Sequence, residues 1–309
     1  MFELVFLGTS ASAPSIKRGL SSLVVKHDEY RFMVDCGEGT QRQILKSGVG
    51  FKRLNHILLT HGHLDHILGL AGMLSTFMRW EAIEEVNIYG TRHTMDRVSD
   101  LINGVVLRGT NPPMPLNLLE IKPGLIFQSK HFAIQAFPVD HRGSSSLGYR
   151  FIEKSHRPFL SEVAEALGVP NGPCRRDLVQ GQSITLEDGR VIKPEDVLGE
   201  ERPGVNLVIV GDVGKPEKLR EHVAGADVMV IEATYLEEDT EMAETFGHST
   251  AAGVARLAAE TGVGKLILTH VSRRYRDDDI LAEARAIFPE TYLANDFDRF
   301  EIRKPEPAE

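Results

Sequence analysis

Short apolar runs, closed by glycine, proline or charged residues, punctuate the chain. Residues 2–7, 21–25 and 30–34 predict three strands, because β-branched and aromatic residues crowd between turn-forming ones. The loop 8–19 between the first two is rich in serine, alanine and proline and is expected to be mobile. A tight turn through Gly37 and Gly39 feeds a helix starting near Gln41. Strand 57–59, helix 67–80, strand 86–89 and helix 94–102 follow, an alternation typical of α/β folds. Prolines within 111–115 interrupt it, and 118–121, 125–128 and 132–139 resume as strands. The rhythm returns with strands 206–210, 228–231 and 265–269, and an alanine-rich helix over 251–261 capped by Ser249 or Thr250. A helix over 281–287, a final strand over 291–302 and a frayed tail from Lys304 complete the pattern.

Residues 150–202 read differently. Charges are scattered, and Val169-Pro170-Asn171-Gly172-Pro173 breaks any regular period. Strand pieces 183–186 and 191–192 are joined by Glu187-Asp188-Gly189-Arg190, whose Asp-Gly pair signals a hairpin. The apolar content is too thin for an independent core, so an arm inserted into one domain spanning 1–309 is expected.

The densest chemistry lies in Thr60-His61-Gly62-His63-Leu64-Asp65-His66, between a buried strand and an apolar helix. In a turning segment His61 and His63 project the same way, while Asp65 and His66 fall one turn further on and face a second centre. That spacing suits two adjacent first-row metal ions, and no cysteine cluster accompanies it to close a structural zinc site. Such groups would be costly to bury unpaired. Other apolar runs deliver His141, Asp212, Glu232 and His270 near their C-terminal ends, where open α/β sheets place their sites. His248 stands just before the helix 251–261. Asp35 is either a partner that orients a ligand histidine or an ordinary turn carboxylate.

A formal charge of -9 excludes indiscriminate polyanion binding, so any polyanion must be met locally. Lys17-Arg18, Arg150 with Lys154 and Arg157, Arg175-Arg176, and Arg273-Arg274 with Arg276 are the available basic clusters. Cys36 and Cys174 make no disulfide framework, which fits a reducing compartment. The strand-like start and the lack of any apolar run of about eighteen residues predict a cytoplasmic protein with no membrane partner.

With His61, His63, Asp65, His66, His141, Asp212 and His270, the chain resembles the metallo-β-lactamase superfamily. That resemblance implies an α/β fold, a four-layer αββα sandwich with metals at one rim. Within the superfamily the chain is similar to the short-form ribonuclease Z family. Phe6-Leu7-Gly8-Thr9 with Pro14, Lys17 and Arg18, Glu232-Ala233-Thr234, His248-Ser249-Thr250, and Thr269-His270-Val271-Ser272 followed by Arg274-Tyr275 carry the likeness. So does the arm, through Gly172-Pro173, Gly181 and Leu186-Glu187-Asp188-Gly189-Arg190. The chain departs in the loop, where the family's usual Pro-x-Lys-x-Arg-Asn here reads Pro14-Ser15-Ile16-Lys17-Arg18-Gly19, and at Val213-Gly214 after Asp212, where a Thr is common.

The resemblance implies a zinc-dependent endoribonuclease that removes the 3′ trailer from precursor tRNA by hydroxide attack on phosphorus. It leaves a tRNA 3′-hydroxyl and a 5′-phosphate on the trailer. Two zinc ions are implied, with manganese as the alternative: one between His61, His63 and His141, the other between Asp65, His66 and His270, with Asp212 bridging. Asp65 is implied as ligand, base or both, and His248, oriented by Glu232, as donor to the departing 3′ oxygen. A homodimer is also implied, one subunit's arm gripping tRNA at its partner's site. The rivals are a phosphodiesterase, thioester or lactone hydrolase of the same superfamily, and a non-catalytic nucleic-acid-binding protein. Glu232 and the His-Ser-Thr stretch count against the thioester and lactone readings, and the complete ligand set against the non-catalytic one.

Overall fold

The computed structural model describes residues 1–80 and 83–304, leaving aside the Trp80 side chain. Of the tail expected to fray, 305–309 lie outside the described residues, while Lys304 pairs with Asp227 at 2.6 Å. Two seven-stranded sheets carry the fold. The first runs, in spatial order, Arg299–Ile302, Phe2–Gly8, Ser22–His27, Tyr30–Val34, His56–Leu58, Val86–Gly90 and Leu116–Glu120. The second runs Thr291–Leu293, Lys265–Thr269, Val228–Glu232, Asn206–Ile209, Ser144–Glu153, Phe132–His141 and Gly124–Gln128.

Strand alternation sends one set of side chains inward and the next outward. Phe2, Leu4, Phe6 and Phe32 of the first sheet meet Phe132, Tyr149, Phe151, Leu207 and Val230 of the second in one buried cluster. On the other face of the first sheet, Val5, Leu7, Met33, Ile57 and Ile88 pack with Ile44, Leu70, Phe77 and Val98 of its covering helices. On the far face of the second, Val208, Met229, Ile231 and Leu268 pack with Val254, Leu257 and Ile280. The result is the αββα sandwich that the resemblance to the metallo-β-lactamase superfamily implies. Each fully buried Leu, Ile, Val or Phe contributes about 1.5–3 kcal/mol, and strands covered on both faces read as unbroken apolar runs.

Two stretches differ from the expectation. Residues 291–302 make two strands: Thr291–Leu293 joins the second sheet and Arg299–Ile302 the first. The chain breaks between them because Asn295 and Asp298 close a turn and Phe297 takes a φ of 74°. Ser144–Glu153 forms an interior strand of the second sheet that the pattern hides behind three serines and Gly148. Gly148 is required there, since a Cβ would lie 2.3 Å from the Phe137 ring.

Residues Glu153–Gly204 make a second compact unit, starting at Glu153 rather than 150 because that strand runs on. Ala164, Val169, Leu178, Ile192 and Val197 are buried in a small core of its own, with Phe159 and Leu186 packed against it. These residues stand singly among charges in the sequence, so the pattern does not reveal the cluster. The Asp-Gly hairpin is present, Ile184–Thr185 pairing with Val191–Ile192. No helix among the described residues is long and apolar enough to cross a membrane.

Candidate metal centre

The C-terminal ends of strands from both sheets meet at one rim. Tyr30–Val34 delivers Asp35, His56–Leu58 leads into the histidine loop, and Phe132–His141 ends on His141. Asn206–Ile209 leads to Asp212, Val228–Glu232 ends on Glu232, and Lys265–Thr269 is followed by His270. Asp35 and His270 hold left-handed backbone, φ 60° and 52°, which costs about 1–3 kcal/mol each for a residue with a side chain. Surrounding bonds hold the first of them: Cys36 N–H donates to His66 O at 2.7 Å, and Gly69 N–H to Cys36 O at 2.8 Å. Gly37 permits this close approach, since a Cβ would fall 2.4 Å from Asp65 O.

The predicted ligands fall into two sets around one carboxylate. His61, His63, His141 and Asp212 present ligand atoms within 4.8 Å of one another, as do Asp65, His66, His270 and Asp212. Asp212 divides its oxygens between them. Its Oδ2 lies 3.6 Å from His61 Nε2 and 3.8 Å from His141 Nε2, and its Oδ1 lies 3.3 Å from His66 Nε2 and 3.4 Å from His270 Nε2. Asp65 Oδ2 stands 3.4 Å from His270 Nε2 and 3.7 Å from His66 Nε2.

The donors fit cations. His61 Nε2, His66 Nε2 and Asp212 Oδ1 are buried without a hydrogen-bond partner among the described residues, an arrangement costly to maintain unless a ligand completes it. Burial and then the neighbouring His66 hold His61 well below the usual histidine range. Burial and His141 bring His63 down to about 4, and burial also lowers His141. Their imidazoles are therefore neutral, the form that binds metal. At His66 burial opposes the charge, but Asp212 and Asp35 outweigh it and raise the ring well above its ordinary value. A cation bound there takes the place of that proton. Burial works against the charge on Asp212 too, yet His270, His66 and His61 hold its carboxyl well below the ordinary range.

Two buried carboxylates, each with a threonine, stand behind these histidines. Asp35 Oδ2 is 2.7 Å from His66 Nδ1 and accepts from Thr60 Oγ1 at 2.8 Å, while Thr60 Oγ1 lies 3.0 Å from His61 Nδ1. This settles the alternatives left open for Asp35: it orients a histidine of the cluster. Glu232, fully buried, contacts His248 Nδ1 at 2.9 Å through Oε1 and accepts from Thr234 Oγ1 through Oε2. Thr234 Oγ1 in turn lies 3.1 Å from His270 Nδ1. Burial lowers His248, but Glu232 outweighs it and lifts the ring to about 9. His141 Nδ1 is anchored on Gly247 O at 2.6 Å, which ties the ligand set to the residue before His248. Thr60 and Thr234 carry no role in the sequence reading, because a threonine beside a turn is commonplace.

An αββα sandwich with this rim of histidines and aspartates defines the metallo-β-lactamase class of metal-dependent hydrolases. The model described as "Beta-lactamase superfamily domain" matches residues 193–271, and one described as "Anti-Pycsar protein Apyc1" matches 2–161. The latter stops short of Asp212, Glu232, His248 and His270, so full-length relatives decide the family. Ribonuclease Z of Bradyrhizobium sp. (strain ORS 278) is 48% identical over 302 residues, covering 98% of this chain and 100% of that protein. Ribonuclease Z of Listeria monocytogenes is 38% identical over 307 residues, covering 97% and 99%. The crystal structure of human tRNase Z, short form, superposes with a TM-score of 0.66 at 25% identity, over 98% of this chain and 100% of that one. The chain belongs to the ribonuclease Z family.

Proposed function

We propose that this protein is a two-zinc endoribonuclease that removes the 3′ trailer from precursor tRNA, leaving a tRNA 3′-hydroxyl and a 5′-phosphate on the trailer. One observation carries the reading: Asp212 shares its two oxygens between two histidine sets, with buried ligand atoms left unpartnered, in a chain of the ribonuclease Z family. His61, His63 and His141 would hold one cation and Asp65, His66 and His270 the other, with Asp212 placed between the two sets. Cations held there stabilise charge on the phosphate and make water nucleophilic near neutral pH. Asp65, beside His270 and His66, would serve as ligand and as acceptor for the attacking water's proton. His248, kept protonated by Glu232, presents its other ring nitrogen to the departing 3′ oxygen.

The arm grips the body of the tRNA bound at the partner subunit of a cytoplasmic homodimer. Its acidic residues outnumber its basic ones, ten to seven. Several of its arginines are engaged within the unit: Arg157 with Gly199 O at 2.8 Å, Arg175 with Pro170 O at 3.2 Å and Arg190 with Asp188 at 2.7 Å. Shape therefore contributes more to this grip than bulk charge.

Mapping the ends produced from a precursor tRNA with an extended 3′ end tests the activity. A single cut after the acceptor stem is expected; turnover of thioesters without any RNA cleavage overturns it. Deleting 153–204 is expected to abolish precursor cleavage and spare hydrolysis of bis(p-nitrophenyl) phosphate. Loss of both in a folded variant rejects the arm's role.

A further inference from the structure

The loop 8–19, expected to be mobile and to offer Arg18 to a polyanion, is instead pinned at its base. Arg18 is 8% exposed, and both terminal nitrogens of its guanidinium are spent inside the protein. Nη1 donates to Thr9 Oγ1 and to Ala294 O, each at 2.6 Å, and Nη2 to Asp277 at 2.8 Å and Asn295 Oδ1 at 2.9 Å. Asp296 completes the knot, accepting from Thr9 Oγ1 at 2.8 Å, Gly19 N–H at 2.6 Å and Gln43 Nε2 at 2.6 Å. With four of its five N–H donors spent inside the protein and its side chain buried, this cation is poorly placed to meet a phosphate.

From that base the loop reaches the metal centre. Ser10 bridges to Leu20 and to Val271, and Ala11 N–H donates to Val271 O at 3.0 Å, beside His270. Ser12, in the left-handed region at φ 53°, then donates its backbone N–H to Asp65 Oδ2 at 3.0 Å. Residues 12–17 of the loop are exposed, Ile16 fully so.

We propose that Arg18 is a positioning residue for the hydrolytic reaction: by locking the loop base onto 294–296 it sets the Ser12 amide on Asp65 and so fixes that carboxylate's orientation. The inference rests on the reading of Asp65 as part of the hydrolytic centre. It does not require RNA to be the substrate. A carboxylate off its working geometry by an ångström costs a large factor in rate, whereas loss of an RNA-contacting cation leaves a small substrate unaffected.

The test compares Arg18→Ala, Arg18→Lys and the milder Thr9→Val, each loaded with zinc. Hydrolysis of bis(p-nitrophenyl) phosphate, metal content, melting temperature and amide hydrogen exchange over residues 10–13 of the metal-free chain are measured. In Arg18→Ala, kcat on the small diester is expected to fall about tenfold or more with KM nearly unchanged, while Ala11 and Ser12 lose exchange protection. Arg18→Lys, able to restore only part of the donor set, falls between, as does Thr9→Val, which keeps the buried volume and serves if Arg18→Ala does not fold. Normal small-diester turnover with a raised KM for precursor tRNA makes Arg18 an RNA contact and overturns the proposal. So does unchanged protection at Ala11 and Ser12. If the wild type hydrolyses the small diester but cuts no tRNA, the functional assignment fails while the result for Arg18 still stands.

Discussion

Two buried carboxylate–threonine pairs back the metal centre, one on each sheet, and they serve different masters. Asp35 with Thr60, on the first sheet, supports His66 directly and His61 through the hydroxyl, both of them ligand candidates. Glu232 with Thr234, on the second, supports His270 through the hydroxyl but spends its direct contact on His248, which belongs to neither shared-Asp212 set. On the function proposed above, the first pair would retain cations. The second would link cation retention to the group proposed to handle the leaving oxygen's proton, so the same chemical device would be divided between holding and reacting.

That division can be broken by substitution. The largest effect is expected at His248→Ala, which slows precursor cleavage by about 10²- to 10⁴-fold with metal content intact. Normal turnover, or a loss of metal, would remove the distinction between the pairs. Asp35→Asn is expected to weaken zinc retention by about 10- to 100-fold against a competing chelator, with turnover largely restored at saturating zinc. A turnover defect that added zinc cannot repair would move Asp35 to the reacting side. Thr234→Val deletes one hydroxyl serving both a ligand and Glu232, so small losses, each of about 1 kcal/mol, are expected in zinc affinity and in turnover at saturating metal. Thr60→Val is expected to lower zinc affinity by a similar or smaller amount, about 0.5–1.5 kcal/mol, and to leave saturated turnover alone. Equal profiles for the two threonine variants, read by chelator titration beside steady-state kinetics, would erase the asymmetry.

Much of this was legible before any coordinates. Apolar runs point to buried strands and the ligand types at their ends point to where those strands end, because buried strands must be apolar and their ends must turn; the pairing into two facing sheets with a rim came with the family resemblance. What stayed hidden depends on burial and on distant contacts. Asp35 could be placed but not assigned until its 2.7 Å contact with His66 was seen. Thr60 and Thr234 stood inside quoted motifs without a role of their own, because their work lies in contacts to His61, Asp35, His270 and Glu232 that only the fold brings together. Arg18 belonged to a basic pair in the sequence, and nothing local says that residues 277 and 294–295 fold back to enclose it. The strand Ser144–Glu153 begins with serines, which carry little strand preference, and owes its place to Tyr149 and Phe151 beneath.

The separate destinations of Thr291–Leu293 and Arg299–Ile302 bear on how the two sheets close. Phe2–Gly8 has one of its hydrogen-bonding edges capped by Arg299–Ile302, far away in sequence. Until that contact forms, the first sheet carries a bare edge open to pairing with other chains. The outer strands of both sheets come from one short stretch, so a single late long-range contact closes the two sheets together.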